Sequence, residues 1–234
     1  MDSLKNGGLA VVIGSTGGIG SAVSDALEQS GAFAGVVGFS RISQPGINLL
    51  DEQGIIRVAD TVRARQVDLR LVFDATGFLH GSGFTPEKSL SALTPEQMAH
   101  AFAVNAMGPA LLMKHFLPLL PKQGKSIFAT LSAKVGSIGD NRLGGWYSYR
   151  ASKAALNQLV HTAAIELARR KPEAVCVALH PGTVDTRLSS DFARTGLEVR
   201  RPAEAAALLI GALDRLTPAE TGGFFDYNGN PLPW

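Results

Sequence analysis

The chain has 234 residues, 45% of them hydrophobic and 18% charged, which is the composition of an ordinary globular protein. Its formal net charge is only +2 and its basic residues are scattered, so we expect neither a nucleic-acid partner nor a membrane surface. The single cysteine, Cys176, excludes disulfides within the chain, and five scattered histidines predict no metal site. No early apolar run is long enough for a signal peptide, so we expect a cytoplasmic protein.

Five short apolar runs alternate with helical stretches along the sequence. They lie at residues 9–13, 35–39, 70–75, 125–131 and 174–180. Alternation of this kind predicts βαβ units and a parallel sheet, and nearly continuous apolar strands predict helices on both faces. We therefore expect an α/β fold, a single Rossmann-type domain over residues 1–234 with a doubly wound parallel sheet.

A glycine-rich segment joins the first apolar run to the first helix. It reads Gly14-Ser15-Thr16-Gly17-Gly18-Ile19-Gly20. Glycines allow a tight turn and close backbone approach, while a helix N-terminus offers free N–H groups and a positive dipole to a pyrophosphate. Taken alone, the segment is also compatible with an ordinary glycine-rich turn, because a bare glycine pattern is weak evidence. We expect the helix to end at Gly31.

A tyrosine and a lysine four residues apart open a later helix, predicted over residues 149–170. Their spacing places Tyr149 and Lys153 on one helical face. A phenol has an ordinary pKa of about 10, so proton transfer near neutral pH needs a pKa lower by about 3 units, and a neighbouring ammonium supplies part of that shift. Such a pair is common by chance. Its position after the glycine segment and after a strand ending in Thr130-Leu131-Ser132 gives it weight.

The glycine spacing and the Tyr149–Lys153 pair occur in the order found in the short-chain dehydrogenase/reductase family. The chain resembles that family over essentially its whole length. The stretch between Ser132 and Tyr149, and the ending at residues 224–234, are similar to the C-factor and sniffer-type carbonyl reductase branch. The resemblance implies an enzyme that passes hydride between a nicotinamide dinucleotide and a carbonyl or alcohol.

The resemblance implies a catalytic tetrad. In it Tyr149 is the proton donor and acceptor, Lys153 lowers the pKa of Tyr149 and binds the nicotinamide ribose, and Ser132 stabilises the substrate oxygen. Ser137 is the alternative to Ser132. Asn105 is expected to hold a water that links Lys153 to solvent, and a locally satisfied helical asparagine is the alternative for that residue.

The resemblance also implies a dinucleotide site. Its expected residues are Gly14, Ser15, Thr16, Gly18, Ile19, Gly20, Ser40, Arg41, Asn48, Leu49, Ala75, Thr76, Gly77, Asn105, Tyr149, Lys153, Pro181, Gly182, Thr183, Val184 and Thr186. The chain departs from the family twice. Ile13 stands where the family often has threonine, and residues 74–77 read Asp-Ala-Thr-Gly where it usually has Asn-Asn-Ala-Gly, which leaves the role of Asp74 open.

The residues after the second strand bear on the choice of dinucleotide. An NAD-selective site places a carboxylate there for the ribose, whereas an NADP site needs a cation for the 2′-phosphate. Here Arg41 follows the strand, and the first acid downstream is Asp51. We therefore expect NADP(H) to be preferred, with NAD(H) possible, and Ser40 or Ser43 to donate a further hydrogen bond. A solvated surface Arg41 is the alternative.

Apolar and aromatic side chains are expected to surround the substrate, with residues 188–197 forming a lid. The candidates are Phe78, Val135, Trp146, Leu188 and Phe192. Together they predict an apolar carbonyl or alcohol substrate, although core packing is the better explanation for any one of them.

Two expectations concern the whole protein. The helix predicted over residues 149–170 has an apolar surface too wide for a single stripe, which predicts a homodimer or homotetramer. Because a fold does not determine a function, a dinucleotide-binding signalling or regulatory protein of the C-factor type, with secondary or no turnover, is the alternative to an enzyme.

Overall fold

The computed structural model describes residues 1–4, 7–81, 83–189 and 198–234. The strands are β1 (Leu9–Ile13), β2 (Gly35–Phe39), β3 (Leu69–Asp74), β4 (Ser126–Leu131), β5 (Ala174–His180), β6 (Thr183–Val184), β7 (Val199–Arg200) and β8 (Phe224–Asp226). Six of them form one parallel sheet in the order β2-β1-β3-β4-β5-β8, and β6 pairs with β7 separately.

Helices cover both faces of the six-stranded sheet. They are α1 (Gly18–Ser30), α2 (Glu52–Arg63), α3 (Pro95–Phe102), α4 (Gly108–Phe116), α5 (Tyr147–Arg170) and α6 (Pro202–Arg215), and a π-helical turn (Ala103–Met107) joins α3 to α4. One buried cluster combines residues of α2, α4 and α5 with alternate strand residues such as Val11. The other combines residues of α1 and α6 with the intervening residues such as Val12. The fold is therefore the doubly wound α/β sheet expected from the sequence.

The strand order creates a crevice at one edge of the sheet. Strand β1 lies between β2 and β3, so the connections that leave these strands diverge at their carboxyl ends. In open α/β sheets, ligands bind in the crevice at such a switch point. The glycine-rich segment follows β1 directly and therefore lies in this crevice.

The element boundaries follow the sequence expectations with small differences. Three strands have the expected bounds, β3 spans residues 69–74 instead of 70–75, and β4 begins at Ser126 instead of Lys125. Helix α1 ends as expected, because Gly31 adopts the left-handed conformation at φ 61°. Helix α5 begins at Tyr147, two residues before the expected start, and the short strands β6, β7 and β8 were not expected.

Within the described ranges, no helix has both the length and the apolar character needed to cross a membrane. The same residues contain no group of three or more His, Cys, Asp or Glu side chains able to hold a metal ion.

Candidate active site

The glycine segment forms a tight turn at the carboxyl end of β1. Gly14 has φ +82°, and its N–H and that of Ser15 both donate to the carbonyl of Phe39, at 2.8 and 3.2 Å. A Cβ atom on Gly20 would lie 2.2 Å from the Gly14 carbonyl oxygen. The turn therefore requires glycine at both positions.

The first turn of α1 faces the segment that follows β6. Gly17 precedes the helix and supplies no side-chain cap, so the first backbone N–H groups of α1 stay available to an anion. A Cβ on Gly18 would lie 2.8 Å from Cγ2 of Thr186. The loop that carries Thr186 thus packs closely against the glycine segment. This uncapped helix start suits a dinucleotide pyrophosphate, and the contacts expected from Ser15, Thr16 and Ile19 stay predictions.

The loop after β2 presents Arg41 to solvent. Its guanidinium makes no ion pair within the described part of the chain. The hydroxyl of Ser43 donates to the carbonyls of Ser40 and Pro45, at 2.9 and 2.7 Å, so its proton is already used. The Ser40 hydroxyl accepts from the N–H of Ile42 at 3.3 Å, which leaves its own proton free for a ligand. Of the two serines, Ser40 is the better candidate donor.

The nearest acid, Asp51, is engaged elsewhere. Its carboxylate caps α2 by accepting from the N–H of Gln53 at 3.1 Å and pairs with Arg57 at 3.3 Å. Leu49 packs against Gly108 at the start of α4. Asn48 is exposed, and its side-chain oxygen accepts a hydrogen bond from the N–H of Leu50.

The segment after β3 connects the glycine turn to the lysine. Ala75 donates its N–H to the carbonyl of Ile13 at 2.9 Å, which continues the sheet towards the glycine turn. The Thr76 hydroxyl donates to Asp74 at 2.6 Å. A Cβ built on Gly77 would lie 3.6 Å from Nζ of Lys153, so this backbone borders the lysine directly.

The segment after β5 forms the opposite wall of the crevice. Pro181 follows β5, Gly182 has φ +79°, and Thr183 and Val184 form β6. The Thr186 hydroxyl lies 3.0 Å from that of Ser189.

Asn105 occupies the π-helical turn between α3 and α4 and is fully buried. Its side chain pairs with the backbone of Phe78, accepting from the N–H at 2.7 Å and donating to the carbonyl at 2.8 Å. Nδ2 also donates to the hydroxyl of Ser152 at 3.1 Å, and that hydroxyl donates to the carbonyl of Tyr149 at 2.9 Å. The amide therefore fixes both the segment after β3 and the first turn of α5. It is not a locally satisfied helical asparagine.

Lys153 is 2% exposed, and its Nζ donates to the carbonyl of Leu131 at 2.7 Å. Burial lowers the pKa of its ammonium to about 8, and the negative charge of Asp74 opposes that lowering. Asp74 is itself fully buried. Burial raises the pKa of its carboxyl group, against hydrogen bonds from Thr76 and Thr130.

The structure corrects one expectation about Tyr149. The sequence predicted that Lys153 lowers the pKa of the phenol, but burial raises that pKa in the structure, and the ammonium of Lys153 points to Leu131. The ring of Trp146 meets that of Tyr149 edge-on, with centroids 6.1 Å apart. Desolvation is the cause that raises the pKa of Tyr149 in this structure.

Ser132 follows β4 and is buried, and its N–H donates to the carbonyl of Leu179 at 2.7 Å. Its hydroxyl donates to Oδ1 of Asn157 on α5 at 2.6 Å. The rival, Ser137, accepts from the N–H of Asp140 at 3.1 Å, a local turn within the loop before α5. Of the two serines, Ser132 is the one whose hydroxyl has a hydrogen bond to the helix that carries Tyr149 among the described residues.

Aromatic side chains border the site near Asn105. The ring of Phe78 meets His100 edge-on at 4.4 Å, and Phe84 lies 5.5 Å from the same ring. Val135 and Leu188 are half-buried. Phe192 and most of the expected lid, residues 190–197, lie outside the described residues.

Sequence reasoning missed three buried polar side chains around this site, namely Asp74, Glu87 and Asn157. Asp74 had a signal in its departure from the family pattern. Asn157 had a weaker one, since it interrupts the apolar face of α5 four residues after Lys153. Glu87 had none, because it meets α5 across 61 positions of sequence.

Comparisons with known proteins place the chain in a family. A family model described as enoyl-(acyl carrier protein) reductase matches residues 13–216. The C-signal protein of Myxococcus xanthus is 37% identical over 139 residues, which cover 58% of this chain and 78% of that protein. A 1-hydroxy-2-glutathionyl-2-methyl-3-butene dehydrogenase of Rhodococcus sp. (strain AD45) is 31% identical over 191 residues, which cover 82% of this chain and 80% of that protein.

Two solved structures share the fold. The carbonyl reductase Sniffer of D. melanogaster has a TM-score of 0.84 at 21% identity, and the match covers 98% of this chain and 100% of the Sniffer chain. The NADPH-bound carbonyl reductase from chicken fatty liver has a TM-score of 0.85 at 23% identity, with coverage of 97% and 94%. The chain belongs to the short-chain dehydrogenase/reductase family and is an oxidoreductase of that family. The resemblance to the C-factor proteins is confirmed by the C-signal relative, and the Sniffer structure confirms the shared fold.

Proposed function

We propose that this protein is an NADPH-dependent carbonyl reductase that interconverts a carbonyl and an alcohol, with Tyr149 as proton donor and acceptor. The observation that carries the proposal is a set of hydrogen bonds that ties Asn105, Ser132 and Lys153 to the first turns of α5 and the end of β4. Asn105 donates to the hydroxyl of Ser152, which donates to the carbonyl of Tyr149. Lys153 donates to the carbonyl of Leu131, and the hydroxyl of Ser132 donates to Asn157 on α5.

The chain's own residues carry the proton chemistry. A bound reduced nicotinamide supplies a hydride to the carbonyl carbon. The phenol of Tyr149 donates its proton to the carbonyl oxygen, and the hydroxyl of Ser132 stabilises the negative charge that develops on that oxygen. The ammonium of Lys153 favours the phenolate that remains, and Asn105 fixes the first turn of the helix that carries both groups. In the oxidation of an alcohol, each proton moves in the opposite direction.

The choice of NADP(H) rests on charge around the loop after β2. Arg41 is exposed and unpaired among the described residues, Ser40 retains a hydroxyl proton, and Asp51 is committed to the start of α2. A 2′-phosphate adds negative charge that an arginine pairs with and a carboxylate repels. The chicken carbonyl reductase of similar fold was solved with NADPH bound.

An apolar substrate is supported by the side chains near the tetrad. Phe78 follows Gly77, which borders Lys153. Its ring packs with those of His100 and Phe84. Trp146 lies against Tyr149. These rings favour an aldehyde or ketone with aromatic or aliphatic groups on its carbonyl carbon.

A single-turnover experiment tests the proposal. The purified protein is mixed with an equal amount of NADPH and a panel of apolar aldehydes, ketones and diketones, and the absorbance of the reduced nicotinamide is followed. We expect rapid loss of that absorbance with at least one class of carbonyl and a slower loss with NADH. Tyr149→Phe is the matched control and should bind NADPH without oxidising it.

The relation to C-signal supports one other candidate, a dinucleotide-binding signalling protein. The same experiment separates the two. The signalling function would be favoured if the protein binds NADPH tightly but no member of the carbonyl panel oxidises it. Alcohols should then also fail to reduce the bound oxidised cofactor.

A further inference from the structure

The hydroxyl of Ser132 is engaged by the side chain of Asn157. Its oxygen lies 2.6 Å from Oδ1 of Asn157, and both side chains are buried, at 4% and 2% exposure. Asn157 lies one helical turn after Lys153 and two turns after Tyr149, so α5 presents all three from one face. The contact therefore belongs to the same site as the proton donor.

This arrangement conflicts with the role proposed for Ser132. A hydroxyl has one proton to donate. While that proton is given to Oδ1 of Asn157, Ser132 cannot also donate it to a substrate oxygen. The other end of the amide has the opposite problem, because the buried Nδ2 of Asn157 has no hydrogen-bond partner among the described residues.

A half-turn of the amide frees the serine proton and gives Nδ2 an acceptor, and it leaves Oδ1 in the position that Nδ2 held. The two ends of an asparagine side chain are nearly equal in size, so turning it exchanges Oδ1 and Nδ2 without a change in volume. Nδ2 then donates to the oxygen of Ser132, and the serine proton becomes free to point at a substrate oxygen. A buried donor that lacks a partner is costly, which favours this exchange once the substrate oxygen accepts the serine proton.

We propose that Asn157 is a positioning residue that acts through Ser132: its amide holds the serine hydroxyl in the resting state and turns to donate to it when a carbonyl substrate binds. The proposal rests on the proposed carbonyl reductase function. It makes Asn157 a determinant of the rate of the reduction step. It assigns no contact between Asn157 and the dinucleotide.

A double-mutant cycle tests this role. Asn157→Leu keeps the size of the side chain and removes its polarity, and we expect kcat for carbonyl reduction to fall roughly 10-fold or more, because one oxyanion donor is worth about 100- to 1,000-fold. In a Ser132→Ala background the same substitution should change kcat by less than about 3-fold, since residues that act as a unit are not additive. Equal factors in both backgrounds would overturn the proposal.

Val160→Ala controls for a general disturbance of α5. Val160 is fully buried one turn before Ala164 on the same helix and belongs to the apolar cluster on that face of the sheet. It should lower the melting temperature without the loss of kcat caused by Asn157→Leu. If Val160→Ala lowers kcat as much as Asn157→Leu does, the loss follows from lowered stability. Asn157 would then be merely structural.

Asn157→Asp keeps the shape of the side chain and provides a second variant. An ionised carboxylate only accepts hydrogen bonds, so the serine hydroxyl keeps donating its hydrogen bond to it. We expect activity to recover as pH falls and the buried carboxyl group becomes protonated. A pH profile that follows the wild type throughout would contradict the proposal.

A binding measurement separates failure of this proposal from failure of the proposed function. With side-chain 15N labelling, the amide resonances of Asn157 should shift when a carbonyl compound binds, and they should shift little in Ser132→Ala. No shift in a protein that reduces carbonyls overturns the amide turn alone. Activity that survives Ser132→Ala overturns both the serine role and the proposal, while a wild type without turnover fails the proposed function.

Discussion

The carboxylate of Glu87 accepts hydrogen bonds from both the backbone N–H and the hydroxyl of Ser148, in the first turn of α5. Its own carbonyl also accepts from the N–H of Trp146 at 2.5 Å. The loop before α3 therefore caps the helix that carries Tyr149, and a negative charge at a helix N-terminus is favourable. The start of the helix that carries Tyr149 is thus held by a carboxylate 61 positions before Ser148 in the sequence.

Removal of this cap should destabilise the protein and misplace Tyr149. We expect Glu87→Ala to lower the free energy of unfolding by about 1–2 kcal/mol, measured by urea denaturation, and to lower kcat several-fold. Glu87→Gln retains an acceptor and should lose less. Glu166→Ala is the control on the same helix, because its 3.8 Å pair with Arg170 is exposed and should matter little. An unchanged unfolding free energy in Glu87→Ala would refute the cap.

Arg41 should determine dinucleotide preference. We expect Arg41→Ala to weaken NADPH binding by about 10- to 150-fold, the equivalent of one charge-assisted hydrogen bond, while NADH binding barely changes. Fluorescence titration with both dinucleotides gives the two dissociation constants. Arg63→Ala, at the exposed end of α2, is a matched control. Equal affinities of the wild type for NADPH and NADH would contradict the assignment.

The pH dependence of the rate should report the charge of Lys153. Because burial lowers the pKa of this ammonium to about 8, activity that needs the charged lysine should fall as pH rises through that value. Asp74→Asn removes the negative charge that favours the cation, so the fall should move to lower pH, by up to about one unit. The measurement is a pH profile of kcat/KM, with the exposed Asp60→Asn as control. A shift to higher pH would have the wrong sign for this account.

Self-association through α5 remains a prediction. Leu156, Val160 and Leu167, which made the apolar surface appear wide in the sequence, are buried against the sheet. Leu159 and Ile165 stay 37% and 49% exposed. We expect a homodimer or homotetramer by light scattering and a monomer for Ile165→Glu. A wild-type monomer at micromolar concentration would remove the basis for this prediction.

The parts of the fold that could be predicted from sequence are those governed by local patterns. Apolar runs gave β1, β2 and β5, because parallel strands covered on both faces need continuous apolar residues. Gly31 gave the end of α1, because few other residues adopt its conformation. Strand β8 has only three residues and pairs with β5 across a long stretch of chain, so no local pattern indicates it.

The candidate site divides in the same way. Gly20, Tyr149 and Lys153 follow motifs with fixed spacing, so the sequence alone could name them as candidates. The contacts of Glu87 and Asn157 depend on which elements pack together, and the raised pKa of Tyr149 depends on how deeply α5 is buried. Spacing along the chain carries no information on either.

The kinetics of Tyr149→Phe test the central claim most directly. The substitution removes one hydroxyl and leaves the ring against Trp146. The account predicts that kcat for carbonyl reduction falls by about 100-fold or more, the contribution of a positioned acid, while the dissociation constant for NADPH stays within a few-fold. A variant that keeps more than about a tenth of the wild-type rate would contradict the assignment of Tyr149 as the proton donor.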